Sequence, residues 1–336
     1  MKREILNVSQ ECRISCLPEE RLEELMETVV EPFLRENRVS GQTEPVDGAP
    51  GMLYYELYLR PEAKGTIVIS YGFTESCLKY HELIYYFFWQ GYQVAVMDHR
   101  GHGHSLREVD DRTIVHIDLF SRYVRDLHRF VKKVVRPAVG EGPLYLYAHS
   151  MGGCIGAFYL EQYPEDFARA VLSAPMLGLK LGACPAWAAR VLCDLHVWRG
   201  KGQERLFTQS PFDPEEDFAD SSADSEARHA WYLKCRREDE SFQTSSASYD
   251  WGKEAINAGN FVTSRAQAQK VKTPVLLFQA GKDHLVRPDA QRRFLSRIAC
   301  GRLVLVPGAR HELYRAQNGV LQPYLEEIFR FYEERG

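Results

Sequence analysis

The stretch that decides the fold is Leu146-Tyr147-Ala148-His149-Ser150-Met151-Gly152-Gly153, which joins a short apolar, aromatic segment to a helix-forming one. Small residues surround a single serine at this junction. The pattern predicts a nucleophile elbow, a sharp strand-to-helix turn that exposes the serine hydroxyl and aims the next backbone N–H, that of Met151, at a developing oxyanion. Ala148 replaces the first glycine of the G-x-S-x-G pattern. Because alanine adds only a Cβ, we still expect close packing of helix on strand.

Two later segments place an aspartate and a histidine after this serine. Residues 274–280 and 302–306 are apolar runs typical of buried strands, and they lead to Asp283 and His311, respectively. Taken alone, Asp283 could be an ordinary aspartate of a turn, and His311 an ordinary histidine of a loop. Together they follow the order Ser, Asp, His of an α/β-hydrolase, each at the carboxyl end of a strand, where ligands bind. We therefore predict Ser150 as nucleophile, His311 as base and Asp283 as the acid that orients it.

The front half of the chain predicts the rest of the site. Residues 65–70 read as a central strand, and the following loop contains Phe73, whose backbone N–H we predict as the second oxyanion donor. Residues 91–97 predict another strand, followed by the turn DHRGHGHS at 98–105. Its histidines and aspartate lack the spacing of zinc ligands, so a polar turn is favoured over a metal site. The predicted chemistry requires neither a metal nor an organic cofactor.

Five segments together resemble the lysophospholipase and monoacylglycerol lipase branch of the α/β-hydrolase superfamily, more closely the bacterial lysophospholipases. They are YGFTES (71–76), DHRGHGHS (98–105), AHSMGG (148–153), SAPMLG (173–178) and SYDW (248–251). Tyr71 stands where many relatives have histidine, and residues 246–248 lack glycines that some relatives carry. The resemblance implies an α/β fold: a mostly parallel central sheet flanked by helices, with a largely helical cap insertion. It also implies hydrolysis of the carboxylic ester of single-chain lipids, lysophospholipids first, through an acyl-enzyme on Ser150.

Other functions stay open at this point. A monoacylglycerol lipase or a general carboxylesterase would share the fold and the three residues. A serine aminopeptidase-like peptidase would need a cap carboxylate to hold a free amine, and Glu215, Glu216 and Glu226 are candidates. A non-catalytic binding protein is disfavoured because all three positions keep competent residues. A haloalkane or epoxide hydrolase would carry aspartate in place of Ser150.

The predicted domain organisation has three parts. Residues 1–50 are predicted as an N-terminal helical extension and connector, residues 51–175 and 271–336 as the catalytic core, and residues 176–270 as the cap. Within the extension, residues 17–38 form an acidic amphipathic segment that Pro32 is expected to kink or end. Because its polar face carries glutamates rather than lysines, we expect it to pack on the domain and not on a membrane.

The cap is rich in apolar and aromatic residues, which suits a site that holds an acyl chain, since each buried methylene contributes about 0.8 kcal/mol. We predict Trp187, Trp198 and Trp251 of the cap as substrate-binding residues. Tyr71 and His149, which flank the predicted oxyanion loop and nucleophile, complete the predicted set.

Composition limits the partners. The chain has 336 residues, 45% of them hydrophobic, and a net charge of −4, which gives no support for nucleic-acid binding. The first residues lack the apolar run of a signal peptide, and the eight cysteines are scattered, so we expect a cytoplasmic protein with reduced thiols. Peripheral contact with the inner face of a membrane would suit an enzyme fed by single-chain lipids. The expected ligand is a small lipid ester, and nothing indicates the oligomeric state.

Overall fold

The computed structural model describes residues 2–334, and Met1, Arg335 and Gly336, which belong to the predicted segments 1–50 and 271–336, lie outside the described residues. The central sheet has nine strands in this part of the chain, and two further strands pair separately. The strands are β1 (Lys2–Ile5), β2 (Arg38–Thr43), β3 (Leu53–Tyr58), β4 (Thr66–Ser70), β5 (Gln93–Met97), β6 (Ile114–Val115), β7 (Leu144–His149), β8 (Arg169–Ser173), β9 (Ser246–Ala247), β10 (Val275–Ala280) and β11 (Gly301–Val306).

The sheet is mostly parallel, as predicted. Its strand order is β1-β11-β10-β8-β7-β4-β5-β3-β2, and only the pairs β2–β3 and β3–β5 are antiparallel. The remaining strands point the same way, so the loops after β4, β7, β10 and β11 all emerge at one edge. This shared edge is where an open α/β sheet binds ligands.

Helices cover both faces of the sheet. The helices are α1 (Leu22–Leu25), α2 (Glu31–Asn37), α3 (His81–Trp89), α4 (Ser121–Phe130), α5 (Arg136–Val139), α6 (Ser150–Gln162), α7 (Ala186–Trp198), α8 (Glu226–Glu238), α9 (Tyr249–Val262), α10 (Arg265–Ala268), α11 (Pro288–Leu295) and α12 (Asn318–Glu333). The strand side chains alternate between two cores: Ile67 and Ile69 of β4 join one, and Val68 joins the other. Within residues 2–334, no helix combines the length and apolar character needed to cross a bilayer.

The N-terminal segment differs from the prediction. Residues 1–50 were expected to form a helical extension and a connector outside the sheet, but two strands of this segment belong to the sheet. β1 pairs in parallel with β11 at one edge, and β2 pairs with β3 at the other. Both are partly exposed edge strands without an apolar run, so their sequences carry little of the pattern that marks a buried strand.

Pro32 does not end the helical segment, which was one of the two effects expected of it; the α-helix is instead divided by a turn of wider geometry directly before it. Helical turns continue from Glu19 to Asn37, and a π turn at Met26–Val30 comes directly before α2. Proline lacks an N–H and crowds the carbonyl of the preceding turn. The wider π turn accommodates both effects, since it does not require the standard i to i−4 hydrogen bond there.

The segment between β8 and β10 forms a largely helical insertion built on α7, α8 and α9. It touches the loops at the carboxyl edge of the sheet: the N–H of Glu312 donates to the carbonyl of Ser222 at 2.9 Å. On its other side α8 packs on the N-terminal segment, where Lys234 lies 2.7 Å from Glu23. The insertion is therefore held between the N-terminal segment and the sheet edge.

Candidate active site

Ser150 stands at the junction of β7 and α6 with a φ of 51°, a left-handed conformation that non-glycine residues rarely adopt. Strain of this kind costs about 1–3 kcal/mol and persists only where neighbours enforce it. Gly152 allows the close packing around the elbow, because a Cβ there would lie 2.0 Å from the carbonyl oxygen of Ser70. Ala148 is accommodated by Gly156, where a Cβ would come within 3.0 Å of the Cβ of Ala148. The glycine at position 156 of α6 thus leaves room for the methyl group that Ala148 adds to the elbow pattern.

The structure brings Ser150, His311 and Asp283 into one chain of hydrogen bonds. The Nε2 atom of His311 lies 2.8 Å from the Oγ of Ser150, and its Nδ1 lies 2.6 Å from Oδ2 of Asp283. The other carboxylate oxygen of Asp283 accepts the N–H groups of Leu285 and Val286 at 2.8 and 3.0 Å. Burial opposes ionisation of Asp283, but His311 and these N–H groups outweigh it and hold the pKa of the carboxyl below its usual range.

The loop after β4 lies against the elbow. The loop that contains Phe73 begins where the carbonyl groups of Ser70 and Tyr71 approach Gly152 in the first turn of α6. Thr74, the residue after Phe73, has a φ of 60°, which marks a tight turn. The first turn of α6 therefore packs against the segment that leads from β4 into the Phe73 loop.

A buried charged cluster that the sequence analysis did not recognise supports these loops. Glu75 accepts hydrogen bonds from the N–H of Gly72 at 2.5 Å and from the hydroxyl of Tyr314 at 2.7 Å. Lys79 bridges Glu75 and Glu312, at 3.2 and 2.7 Å. The cluster therefore ties the loop of Phe73 to the loop of His311. Glu75 stands two residues after Phe73 and Glu312 directly follows His311, a proximity that could have signalled it.

Burial opposes charge on all three members of this cluster. Their mutual attraction nevertheless holds the pKa of Glu75 and of Glu312 below the usual range and the pKa of Lys79 above it. The cluster is consequently ionised at neutral pH, and the two loops are joined by charge as well as by hydrogen bonds.

Two of the predicted substrate-binding residues, Tyr71 and His149, are buried parts of the scaffold. The hydroxyl of Tyr71 donates to Asp98 at 2.9 Å and accepts the N–H of His99 at 2.8 Å. Its hydrogen bonds are therefore made within the core. The Nδ1 atom of His149 lies 3.1 Å from the carbonyl of Ser173. Burial lowers the pKa of His149 to about 4, so the ring is neutral where it packs beside His311.

The three tryptophans have different positions. Trp251 is buried, and its ring centroid lies 4.2 Å from that of Phe73, next to the oxyanion loop. Trp187 and Trp198 lie on α7 with 73% and 80% of their surface exposed, so the structure does not bring them to Ser150. The sequence placed all three in the cap because they fall within residues 176–270, but it could not show which of them face the sheet.

Residues 61–318 match the model of a family described as serine aminopeptidase, S33. The chain belongs to this family of α/β-hydrolases. The hydrolase is 31% identical over 288 residues to lysophospholipase L2 of Escherichia coli strain K12, covering 79% of each chain. It is 26% identical over 259 residues to a monoacylglycerol lipase of Mycolicibacterium smegmatis, covering 75% of this chain and 83% of that protein.

Solved structures show the same fold. A soluble variant of monoglyceride lipase from Saccharomyces cerevisiae superposes with a TM-score of 0.68 at 19% identity, covering 84% of this chain and 92% of that one. A Paleococcus ferrophilus monoacylglycerol lipase gives a TM-score of 0.64 at 20% identity, covering 84% and 99%. The predicted α/β-hydrolase fold is confirmed, and the chain is an ester hydrolase of this fold.

Proposed function

We propose that the chain is a serine hydrolase that cleaves the carboxylic ester of single-chain lipids, lysophospholipids above all, through an acyl-enzyme on Ser150. The observation that carries the catalytic part is the hydrogen-bonded run from Asp283 through His311 to Ser150, with distances of 2.6 and 2.8 Å. The substrate class is supported by the 31% identity to a protein named lysophospholipase L2.

The first step forms the acyl-enzyme. The Oγ of Ser150 attacks the ester carbonyl carbon while Nε2 of His311 takes its proton, and Asp283 stabilises the imidazolium through Nδ1–H. The carbonyl oxygen, now negative, accepts hydrogen bonds from the N–H groups of Phe73 and Met151. Collapse of this intermediate breaks the bond to the alcohol oxygen, which leaves with the proton from His311.

The second step releases the fatty acid. Water enters in place of the alcohol, gives a proton to Nε2 of His311 and attacks the acyl carbon of Ser150. The same two N–H groups hold the new oxyanion. Its collapse returns the proton to Ser150, so that the enzyme is restored and one ester has become one acid and one alcohol.

The decisive experiment measures fatty-acid release by the purified protein from a lysophospholipid and from a monoacylglycerol of the same acyl chain. Ser150→Ala is the blank. Ser296→Ala is the matched control, because it makes the same substitution at an exposed serine of this chain. We expect a clear preference for the lysophospholipid, an inactive blank and an unchanged control. Activity that survives in the blank would refute the role of Ser150, and preference for the glyceride would refute the substrate class alone.

A peptidase is a second candidate, because the matching family carries the description serine aminopeptidase. One cap carboxylate, Glu216, lines a cavity beside the active-site loops, where it could hold a free amine. Hydrolysis of aminoacyl amides without hydrolysis of acyl esters would favour this function over the proposed one.

A further inference from the structure

The loop that carries His311 is hydrogen-bonded to the cap on both sides of the histidine. The N–H of Arg310 donates to Oδ2 of Asp224 at 2.7 Å, and the N–H of Glu312 donates to the carbonyl of Ser222 at 2.9 Å. Since Arg310 and Glu312 are the chain neighbours of His311, the cap holds the backbone from which the imidazole projects.

Both cap partners lie in the segment 218–224, which precedes α8 and, after a single helical turn at Phe218–Asp220, has no helix or strand of its own. An irregular segment keeps one conformation only where its backbone polar groups find partners. Arg310 provides them, because Nη1 of its guanidinium lies within hydrogen-bond distance of three carbonyl oxygens of the segment. These are the carbonyls of Phe218, Ser221 and Ala223, at 3.0, 2.9 and 3.3 Å. The side chain next to His311 therefore orders the segment that holds the histidine loop.

The cap segment is itself anchored beyond the histidine loop. Ser221 and Ala223 are buried. Ser225, the residue after the segment, caps α8 by accepting the N–H of Arg228, and its hydroxyl donates to Glu19 of the N-terminal segment. The segment is thus tied to α8 and to the N-terminal segment, which makes it a fixed support for the loop.

The sheet supports the same loop at other points. The carbonyl of Ala309 accepts an N–H from the turn after β10 at 2.9 Å, and the side chain of Glu312 pairs with Lys79 at 2.7 Å. Asp283 holds only Nδ1 of His311, so the place of the other ring nitrogen, Nε2, depends on the backbone of the loop. A misplacement of about 1 Å lowers turnover about 100-fold in enzymes. A shift of the two N–H groups that the cap holds would therefore reach the chemistry.

We propose that the cap segment 218–224 positions His311, and that Asp224 and Arg310 are its positioning residues. They act through the backbone of the histidine loop and not through contact with the substrate. The hydrogen-bonded run to Ser150 is then complete only while the cap is docked on the sheet edge. The cap consequently controls the rate of the chemistry itself, even for an ester too small to reach it. This inference rests on the proposed function, in which His311 is the base.

The test measures kcat and KM for p-nitrophenyl acetate, whose short acyl group gains little binding from the cap. Turnover is counted per active site titrated with a fluorophosphonate, so an unfolded fraction of the protein does not lower it. Asp224→Ala removes the acceptor of the Arg310 N–H. We expect kcat to fall about tenfold, the effect of one hydrogen bond to a charged group, with KM little changed. The rate at which the fluorophosphonate labels Ser150 should fall by the same factor.

Further variants test the cause of this loss. Asp224→Asn keeps an oxygen that accepts the same N–H, so kcat should return close to the wild-type value. Asp220→Ala is the matched control, because it removes an exposed carboxylate from the same segment. Arg310→Met removes the donor to the three carbonyls and should lower kcat about tenfold to 100-fold. Arg35→Met, at an exposed arginine of α2, should leave kcat unchanged.

An unchanged kcat in folded Asp224→Ala and Arg310→Met would overturn the inference, because the sheet alone would then position the histidine loop. A raised KM with an unchanged kcat would overturn it too, by assigning the segment to binding. A kcat in Asp224→Asn as low as in Asp224→Ala would assign the loss to the carboxylate charge and not to the hydrogen bond. Failure of the proposed function is recognised separately, since normal turnover in Ser150→Ala would refute the catalytic serine whatever the Asp224 variants show.

Discussion

Asp283→Asn is the substitution that tests the catalytic proposal most directly, because the surroundings of Asp283 dictate how an asparagine would sit. Oδ1 of Asp283 accepts two backbone N–H groups, from Leu285 and Val286, and Oδ2 faces Nδ1 of His311. Asparagine keeps the two backbone hydrogen bonds only if its carbonyl oxygen takes the Oδ1 position. Its NH₂ group then points at Nδ1 and donates to it.

That arrangement reverses the tautomer of the histidine. Because Nδ1 of His311 must now accept, the ring proton moves to Nε2, which lies 2.8 Å from the Oγ of Ser150. Nε2 can then no longer take the serine proton. In other triads this change lowers turnover about 10⁴-fold, which corresponds to about 5.4 kcal/mol in the activation free energy.

The assay is the initial rate of p-nitrophenyl butyrate hydrolysis, together with the rate at which a fluorophosphonate labels Ser150. We expect both rates to fall by a similar factor, with the fold intact by circular dichroism. Asp289→Asn is the matched control, since the half-exposed Asp289 forms its ion pair with Arg287, two residues before it, and does not contact the triad. Turnover within tenfold of wild type in folded Asp283→Asn would refute the assignment of Asp283 as the orienting acid.

Three further predictions concern packing and buried charge. Gly152→Ala places a Cβ 2.0 Å from the carbonyl of Ser70, so the elbow must shift and turnover should fall at least about 100-fold. Burial raises the pKa of Glu161 to about 9. As the pH rises from about 5 to about 9, the free energy of unfolding should therefore fall by up to about 1.4 kcal/mol per pH unit. Urea titrations of Glu161→Gln should show a flatter dependence on pH. Arg228→Met leaves the buried carboxylate of Glu82 unpaired and should cost about 3–5 kcal/mol in urea unfolding.

Each of these predictions has a result that would contradict it. Normal turnover in Gly152→Ala would mean that the loop after β4 yields easily, and Gly319→Ala, with open space around its Cβ, shows the cost of the substitution alone. The sign for Glu161 follows from its raised pKa: the native state holds one proton more than the unfolded state in that window, so a stability that rises with pH would be inconsistent. Replacing both Arg228 and Glu82 by methionine should recover most of the loss, and a failure to recover would mean that other contacts of Arg228 dominate.

Much of the fold follows from local patterns. The buried strands β4, β7, β10 and β11 are apolar runs of five or six residues, and such runs are recognisable without any tertiary information. The edge strands β1 and β2 are not, because an edge strand is held by pairing with its neighbour and needs no buried side chains. The continuation of the helical turns through Pro32 could not be predicted either, because it depends on the π turn before it, whose residues Met26 and Val30 are buried in the core.

The sequence by itself determined the residues proposed for the chemistry. Ser150, Asp283 and His311 each follow a recognisable strand, and parallel strands deliver their carboxyl ends to one edge, so chain order and strand position were sufficient to bring them together.

Only the tertiary structure decided what surrounds them. Lys79 and Glu312 are 233 residues apart in sequence, yet they meet at 2.7 Å because separate loops reach the same edge. The direction of a side chain depends on how its element packs, so no pattern could show that Tyr71 is used within the core or that Trp187 and Trp198 face away. The cavity between the cap and the sheet edge exists only once those elements are packed against each other.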